Sequence, residues 1–197
     1  MNNNLTPQDR ADFYAAGPGK KFPASIPWIA ANDRLYGMWF FGNNYRSKSG
    51  YHGSYPPNYL DRITTLFPDA QNVLHLFSGS LPPDPNYTRF DLRDDVDCDV
   101  RGNAEELSKH FAPGSIDMIY ADPPYTEEDA LKYGNPMVGR NKVMKEIALV
   151  LPSGGFVVWM DMVFPMFRKD TFKVYGTIGM VRSTNHRYRH ATIFQRI

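Results

Sequence analysis

The sequence predicts an α/β fold with a mostly parallel sheet, helices on both faces of the sheet and an antiparallel last strand. Short apolar runs at residues 73–77, 116–121 and 156–160 each stop at glycine, proline or polar residues, a pattern typical of buried strands. Between the second and third runs, residues 143–151 repeat apolar side chains at helical spacing. Strands that alternate with helical segments favour parallel pairing.

Length and composition indicate a globular chain. Its 197 residues suit one domain with an elaborated N-terminus, and 42% of them are apolar. The single cysteine, Cys98, excludes an internal disulfide and a cysteine-based metal cluster, and we expect no metal. No apolar run approaches the ~20 residues of a membrane span, and the polar start at residues 1–4 does not resemble a signal peptide. We therefore expect no membrane partner and a cytoplasmic location.

Charge is distributed unevenly along the chain although the net charge is only +1. From Asp84 to Asp129 there are 13 acids against 4 bases, whereas no acid follows Asp170. The bases of this tail are Lys173, Arg182, Arg187, Arg189 and Arg196. A polyanion would avoid the first segment and favour the second, although solvated faces carry such runs too.

The stretch Ala121-Asp122-Pro123-Pro124-Tyr125 offers a defined chemistry where a buried strand ends. Proline fixes φ and cannot donate to a sheet, so the strand must stop in a rigid turn, stiffened by Pro124. The Asp122 carboxylate and the Pro123 carbonyl could accept the N–H bonds of an exocyclic amine, and the Tyr125 ring could stack on a base.

This stretch resembles the Asp-Pro-Pro-Tyr motif of S-adenosylmethionine-dependent amino-methyltransferases, which methylate adenine N6 or cytosine N4. Residues 77–80 resemble the Phe-x-Gly-x-Gly cofactor motif of the same family. His75 stands where an aspartate often precedes the phenylalanine; a buried histidine is more often a satisfied core residue. The resemblance covers residues 73–197 and implies a Rossmann-like class I methyltransferase fold with S-adenosyl-L-methionine as cofactor.

Residue roles follow from the resemblance where this chain matches it. Asp91 ends the second predicted strand, where such folds bind ribose hydroxyls with a carboxylate, and Asn103 could bind the adenine amine or cap a helix. The implied catalytic residues are Asp122, Pro123, Pro124 and Tyr125. The implied cofactor-binding residues are Phe77, Ser78, Gly79, Ser80, Asp91, Asn103 and Asp122.

The remaining elements complete the predicted architecture. Residues 1–60 are expected to form an arm and an aromatic-rich extension, and residues 61–197 the methyltransferase domain. The rings of the extension could stack on bases, although packing against the sheet is the commoner role for most of them. Helices are predicted over residues 7–16, 58–66, 103–111, 126–133, 136–151 and 162–169. Only residues 81–86, with three prolines, separate the first two strands, so no helix fits there: either the first crossover helix is missing or the strand order differs from the one assumed.

The chain is predicted to end in a hairpin of residues 172–181 and 188–197. If its first strand is parallel to the others, its turn lies at the sheet edge that carries Asp122. Arg182, Asn185, His186 and Arg187 are therefore candidate nucleic-acid contacts.

These observations together predict a methyltransferase acting on a nucleobase amine, with adenine N6 or cytosine N4 in DNA favoured as the target. RNA or a protein glutamine amide are alternative substrates. A non-catalytic nucleic-acid-binding protein on the same fold is an alternative of another class. A nicotinamide enzyme is the least supported alternative, because no Gly-x-Gly-x-x-Gly follows a strand.

Overall fold

A computed structural model describes residues 5–25, 27–29, 32–42, 55–182 and 188–197. In these residues a single sheet of nine strands has the order β1-β2-β8-β9-β7-β6-β3-β4-β5. The strands are β1 (Trp28–Ile29), β2 (Leu35–Phe41), β3 (Val73–Leu76), β4 (Tyr87–Asp91), β5 (Val100–Arg101), β6 (Met118–Ala121), β7 (Phe156–Asp161), β8 (Phe172–Arg182) and β9 (Arg189–Arg196).

The sheet confirms the predicted mostly parallel arrangement with an antiparallel last strand. Strands β5, β4, β3, β6 and β7 pair in parallel, and β9 pairs antiparallel with both β7 and β8. Strand order reverses beside β3, because β4 and β5 extend to one side and β6 and β7 to the other. A ligand crevice is expected outside the carboxyl ends of the strands at such a reversal.

Helical segments cover both faces of the sheet. The α-helices are α1 (Pro7–Ala16), α2 (Pro18–Lys21), α3 (Tyr59–Ile63), α4 (Glu127–Lys132) and α5 (Arg140–Val150), and 3₁₀ turns span Pro23–Ser25, Thr64–Leu66 and Ala104–Lys109. One core lies between the sheet and the N-terminal helices α1 and α3. The other lies under α5 and the turn at 104–109, so the N-terminal region supplies one helical layer.

The N-terminal extension is part of the sheet. Strand β2 pairs in parallel with β8 along its whole length, which places Trp39 in the core, where its ring stacks on Tyr14 and meets Tyr59 edge-on. All three side chains are buried. For these rings the packing role holds; residues 43–54 of the extension lie outside the described residues.

The crossover from β3 to β4 has no helix, as the prolines predicted. Arg89 on β4 instead ties the two neighbouring loops to the strand: its guanidinium donates to the Leu81 carbonyl and pairs with Asp97 and Asp99 at 3.0 and 2.8 Å. The Arg89 side chain is 4% exposed. The crowded acids of residues 91–99 thus partly serve to hold loops over the part of the sheet where the crossover helix is missing.

Three predicted helices differ from the structure. The segment predicted to begin at Pro136 forms α5 only from Arg140, because the Glu105 carboxylate accepts a hydrogen bond from the Gly139 amide (2.7 Å) and fixes the start of the helix there. Residues 162–169 are irregular, since the amides of Met162 and Val163 donate to Asp161. The 103–111 segment is a kinked 3₁₀ turn.

Within the described part of the chain, no helix is long and apolar enough to cross a membrane.

Replacing Arg89 tests whether this side chain substitutes for the missing crossover helix. Arg89→Ala removes several partly buried, charge-assisted hydrogen bonds, so we expect it to lower the free energy of unfolding by about 2–4 kcal/mol. Arg101→Ala is the matched control, because Arg101 pairs with Asp94, whose side chain is 99% exposed, and should cost less than about 1 kcal/mol. Urea denaturation measures both; equal costs would contradict the role assigned to Arg89.

Candidate active site

A cavity of about 590 Å³ opens at the carboxyl ends of the parallel strands, within the usual range for small-ligand sites. It brings together most of the residues implied by the two motifs. Those lining it are Phe77, Gly79, Asp91, Asn103, Asp122, Pro123, Pro124, Tyr125 and Arg182. Residues far apart in the chain therefore converge because each follows a strand of the same sheet.

Other sites implied by the sequence fall elsewhere. Ser78 is buried beside the cavity without lining it, and its hydroxyl has no hydrogen-bond partner among the described residues. Ser80 is exposed and lines a separate small pocket with Tyr55 and Asn58. Asn185, His186 and Arg187 are outside the described residues, so their predicted contact with nucleic acid stays a prediction.

Backbone geometry shapes the wall of the cavity at the end of β3. Phe77 and Gly79 have positive φ values of 63° and 53°, and a glycine adopts this conformation at little cost. The Gly79 amide donates to one Asp91 oxygen at 2.8 Å, while the other oxygen accepts from the Arg93 amide at 3.0 Å. Asp91 thus holds the turns after β3 and β4 together, as well as facing the cavity.

Asn103 occupies the N-cap predicted for it. Its side-chain oxygen accepts a hydrogen bond from the Glu105 amide at 3.0 Å, and the 3₁₀ turn begins at the next residue. Apolar side chains of Leu92, Met137 and Val138 line this end of the cavity as well. The combination of a carboxylate, an amide and apolar walls suits a ligand with a sugar and a planar ring.

Asp122 follows β6 in the middle of the cavity edge. Burial raises the pKa of its carboxyl group to about 7, while the hydrogen bond from Tyr125 and the nearby charge of Arg189 act in the opposite direction. The Tyr125 hydroxyl lies 2.5 Å from Asp122 Oδ1. A carboxyl group with this pKa can accept a proton near neutral pH.

The buried tyrosines Tyr55 and Tyr59 lie close enough to the Asp122 carboxylate to interact with it electrostatically. Burial raises the pKa values of Tyr55 and Tyr59 well above the usual range, and the Asp122 charge adds to the effect, so both phenols stay neutral. Tyr55 shares a 3.0 Å hydrogen bond with His75 Nδ1, and burial lowers the His75 pKa to about 4. His75 also stacks on Tyr120, so it is the satisfied core histidine that its position favoured.

Tyr125 is held from both sides. Its carbonyl accepts a hydrogen bond from Arg140 at 2.9 Å, and the Arg189 guanidinium carbon lies 4.8 Å from its ring centre. The Asp-Pro-Pro-Tyr turn is thus fixed by α5 at its backbone and touches β9 at its ring.

Two residues important to this site were missed by sequence reasoning. The fully buried Asp161 pairs with Arg140 at 2.7 Å and accepts a hydrogen bond from the Trp159 indole at 3.2 Å. Arg189 lines the cavity beside Arg182. The available signal for Asp161 was its position directly after an apolar strand, the same signal that identified Asp122.

No protein-family model matches the chain, and no curated protein does either. Among solved structures, TrmN from Thermus thermophilus is similar with a TM-score of 0.53 and 16% identity, over 74% of this chain and 50% of that one. A type 11 methyltransferase candidate from Sulfolobus solfataricus has a TM-score of 0.41 and 14% identity, over 74% of this chain and 94% of that one. SMU.776, a methyltransferase candidate complexed with SAH, has a TM-score of 0.45 and 13% identity, over 89% of this chain and 56% of that one.

At these identities the likeness establishes the fold alone: a Rossmann-like sheet of the methyltransferase type. The chain spans half the length of TrmN.

The raised pKa of Asp122 makes a prediction about stability. The folded state binds this proton more tightly than the unfolded state, so stability falls as pH rises from about 4 to 7. Asp122→Asn removes the ionisation while keeping an acceptor for Tyr125. Allowing for partial exposure, we expect it to raise the free energy of unfolding by about 1–3 kcal/mol at pH 8, and by less at pH 5. Denaturation at both pH values measures this, and no gain at pH 8 would contradict the pKa assignment.

Proposed function

We propose that the chain is an S-adenosylmethionine-dependent methyltransferase acting on the exocyclic amine of a nucleobase, with adenine N6 or cytosine N4 in DNA as the favoured target. The observation that carries the proposal is the position of Gly79 and Asp122 at the ends of the adjacent strands β3 and β6, in one cavity. The two matched motifs thus meet at the point where strand order reverses, as the reaction requires.

The cofactor would lie in the half of the cavity formed by β3, β4 and the turn at 104–109. Gly79 brings backbone without a side chain to the cavity, Asp91 presents a carboxylate toward ribose hydroxyls, and Asn103 a polar group toward adenine. S-adenosylmethionine would supply a methyl group already activated on a sulfonium. The cavity residues fit that cofactor in polarity and in the volume available.

Asp122 and Pro123 would orient the target amine. The carboxylate oxygen and the Pro123 carbonyl can each accept one N–H bond, which directs the nitrogen lone pair toward the cofactor half. The amine must lose one proton as the new N–C bond forms. A carboxyl group with a pKa of about 7 can hold that proton at its oxygen before releasing it to solvent.

Tyr125 would contribute more than a stacking face. Its hydroxyl hydrogen bond favours the ionised form of Asp122, which is the form that accepts an N–H. The ring remains the candidate surface for an extruded base. Pro124 stiffens the turn between the two residues because its φ is fixed.

RNA and a protein glutamine amide stay alternatives for the substrate, since both present a similar nitrogen. A non-catalytic nucleic-acid-binding role is the alternative of another class. An assay of methyl transfer to DNA, RNA and a glutamine-containing peptide distinguishes these substrates from one another and from a non-catalytic role.

The test supplies methyl-labelled S-adenosylmethionine with single- and double-stranded DNA, RNA and a glutamine-containing peptide, and identifies the methylated product by nucleoside or amino-acid analysis. We expect methylated adenine or cytosine, and a loss of at least ~100-fold in Asp122→Asn. The affinity of that variant for the cofactor should change little. Full turnover in Asp122→Asn would refute the mechanism, and methylated glutamine alone would refute the substrate.

The pH dependence of turnover tests the Tyr125 hydroxyl. The wild-type chain should lose activity as pH falls through about 7, because Asp122 becomes protonated. Tyr125→Phe removes a hydrogen bond that favours the carboxylate, so we expect this acid limb to move to higher pH while activity at alkaline pH is largely kept. Tyr133→Phe, another cavity tyrosine, is the control. An unshifted limb in Tyr125→Phe would contradict the role of the hydroxyl.

A further inference from the structure

Two arginines at the end of the terminal hairpin face the cavity together. Strands β8 and β9 pair Met180 with Arg189, and side chains alternate along a strand. Arg182, two residues beyond Met180, therefore lies on the same face as Arg189. Both residues line the cavity that holds Asp122 and Tyr125.

These arginines differ from the other described arginines near the site. Arg140 is paired with Asp161, Arg93 with Asp95, and Arg89 with Asp97 and Asp99. In contrast, the described residues include no salt-bridge partner for Arg182 or Arg189, and the Nε atoms of both are buried without an acceptor there.

This arrangement carries a cost that no salt bridge among the described residues offsets. Burial and the charge of Arg189 both lower the pKa of Arg182, so the two guanidiniums repel each other in a partly desolvated place. The charge of Arg189 acts on Asp122, whose carboxyl group has a pKa of about 7 and is therefore partly protonated near neutral pH. Two adjacent cations with buried donors and no fixed counterion are expected where an anionic ligand completes the site.

Strand order separates these arginines from the cofactor half of the cavity. The spatial order of the strands is β3, β6, β7, β9, β8. Asp122, which follows β6, therefore lies between Gly79 and the two arginines. At about 4.8 Å between strands, β9 is roughly 10 Å from β6 on the side away from β3. Arg189 nevertheless reaches back to Tyr125, with 4.8 Å between its guanidinium carbon and the ring centre.

We propose that Arg182 and Arg189 bind the phosphodiester beside the target nucleotide of a nucleic acid while Asp122 and Tyr125 receive its base. This inference rests on the proposed function and deepens it, because it assigns the substrate to nucleic acid over a protein amide. A glutamine side chain can accept a hydrogen bond from a guanidinium, but it carries no negative charge to offset two adjacent cations. Guanidinium forks match phosphate oxygens well, and a contact of this kind positions the substrate without reading its sequence.

The binding test uses fluorescently labelled 12-residue single-stranded DNA and RNA of mixed sequence, with affinity measured by anisotropy over a range of salt concentrations. Arg182→Gln and Arg189→Gln should each weaken binding about tenfold and reduce the salt slope by about 0.7–1. Lys173→Gln is the matched control: it removes an exposed cation from the opposite end of β8 and should change neither quantity. Variants that bind like this control would overturn the proposal.

Two further arms identify the anion. Calorimetry with S-adenosylmethionine should give affinities within about twofold of wild type for both variants; a selective loss of cofactor affinity would mean that the arginines hold the cofactor carboxylate, and would overturn the proposal. A poly-glutamate peptide should compete poorly with the oligonucleotide, and equal competition would overturn the nucleic-acid assignment.

The outcomes for this site and for the reaction are separable. Arginine-dependent oligonucleotide binding without any methylated product would leave the phosphate site in place and refute the proposed reaction. Methylation that is unchanged in rate and salt dependence in both arginine variants would support the reaction and overturn the phosphate site.

Discussion

The reversal of strand order between β3 and β6 is the constraint on which the site depends. Parallel strands bring all their carboxyl ends to one edge, and the reversal leaves a gap there because the connections leave in opposite directions. The turn containing Gly79 enters this gap from one side and the Asp-Pro-Pro-Tyr turn from the other. Local chemistry follows from that placement, since Asp122 is partly buried among aromatic rings and its pKa rises to about 7.

The fold reaches this arrangement with few crossover helices. Helix α5 covers one face, while the N-terminal helices α1 and α3 provide the packing on the other face that crossover helices would usually provide. At the crossover from β3 to β4, which has no helix, Arg89 pairs with Asp97 and Asp99 and holds the loops in place. Asp97 and Asp99 of the acidic segment therefore have a structural use, and they lie on the β4 side of β3, away from the arginines of the terminal hairpin.

Much of this could be predicted because the signals are local. Prolines after Asp122 stop a strand, a capping residue at Thr6 and Pro7 begins α1, and the three prolines in residues 81–86 exclude a helix. The start of α5 could not be predicted, because Glu105, far away in sequence, determines it. Asp161 and Arg189 were missed for the same reason: their importance comes from contacts with residues distant in sequence, Arg140 on α5 for Asp161 and Tyr125 for Arg189.

The geometry of the site differs from what the motif resemblance implied for residues 77–80 and adds contacts at Tyr125. The resemblance indicated that residues 77–80 act as one cofactor loop, but only Phe77 and Gly79 line the cavity. It assigned Tyr125 a stacking role, whereas the structure adds a 2.5 Å hydrogen bond to Asp122 and an arginine against the ring. Side-chain contacts of this kind form between residues from different strands and loops at the sheet edge. A motif read along the sequence does not predict which of these residues touch.

The most direct measurement of the central claim is calorimetric titration of the chain with S-adenosylmethionine, beside Gly79→Arg and Gly114→Arg. Both glycines have positive φ, so the two substitutions carry similar backbone strain, but only Gly79 lines the cavity. The account predicts binding by the wild type and Gly114→Arg and none by Gly79→Arg. Absence of binding by the wild-type chain, with and without nucleic acid, or equal binding by all three, would contradict it.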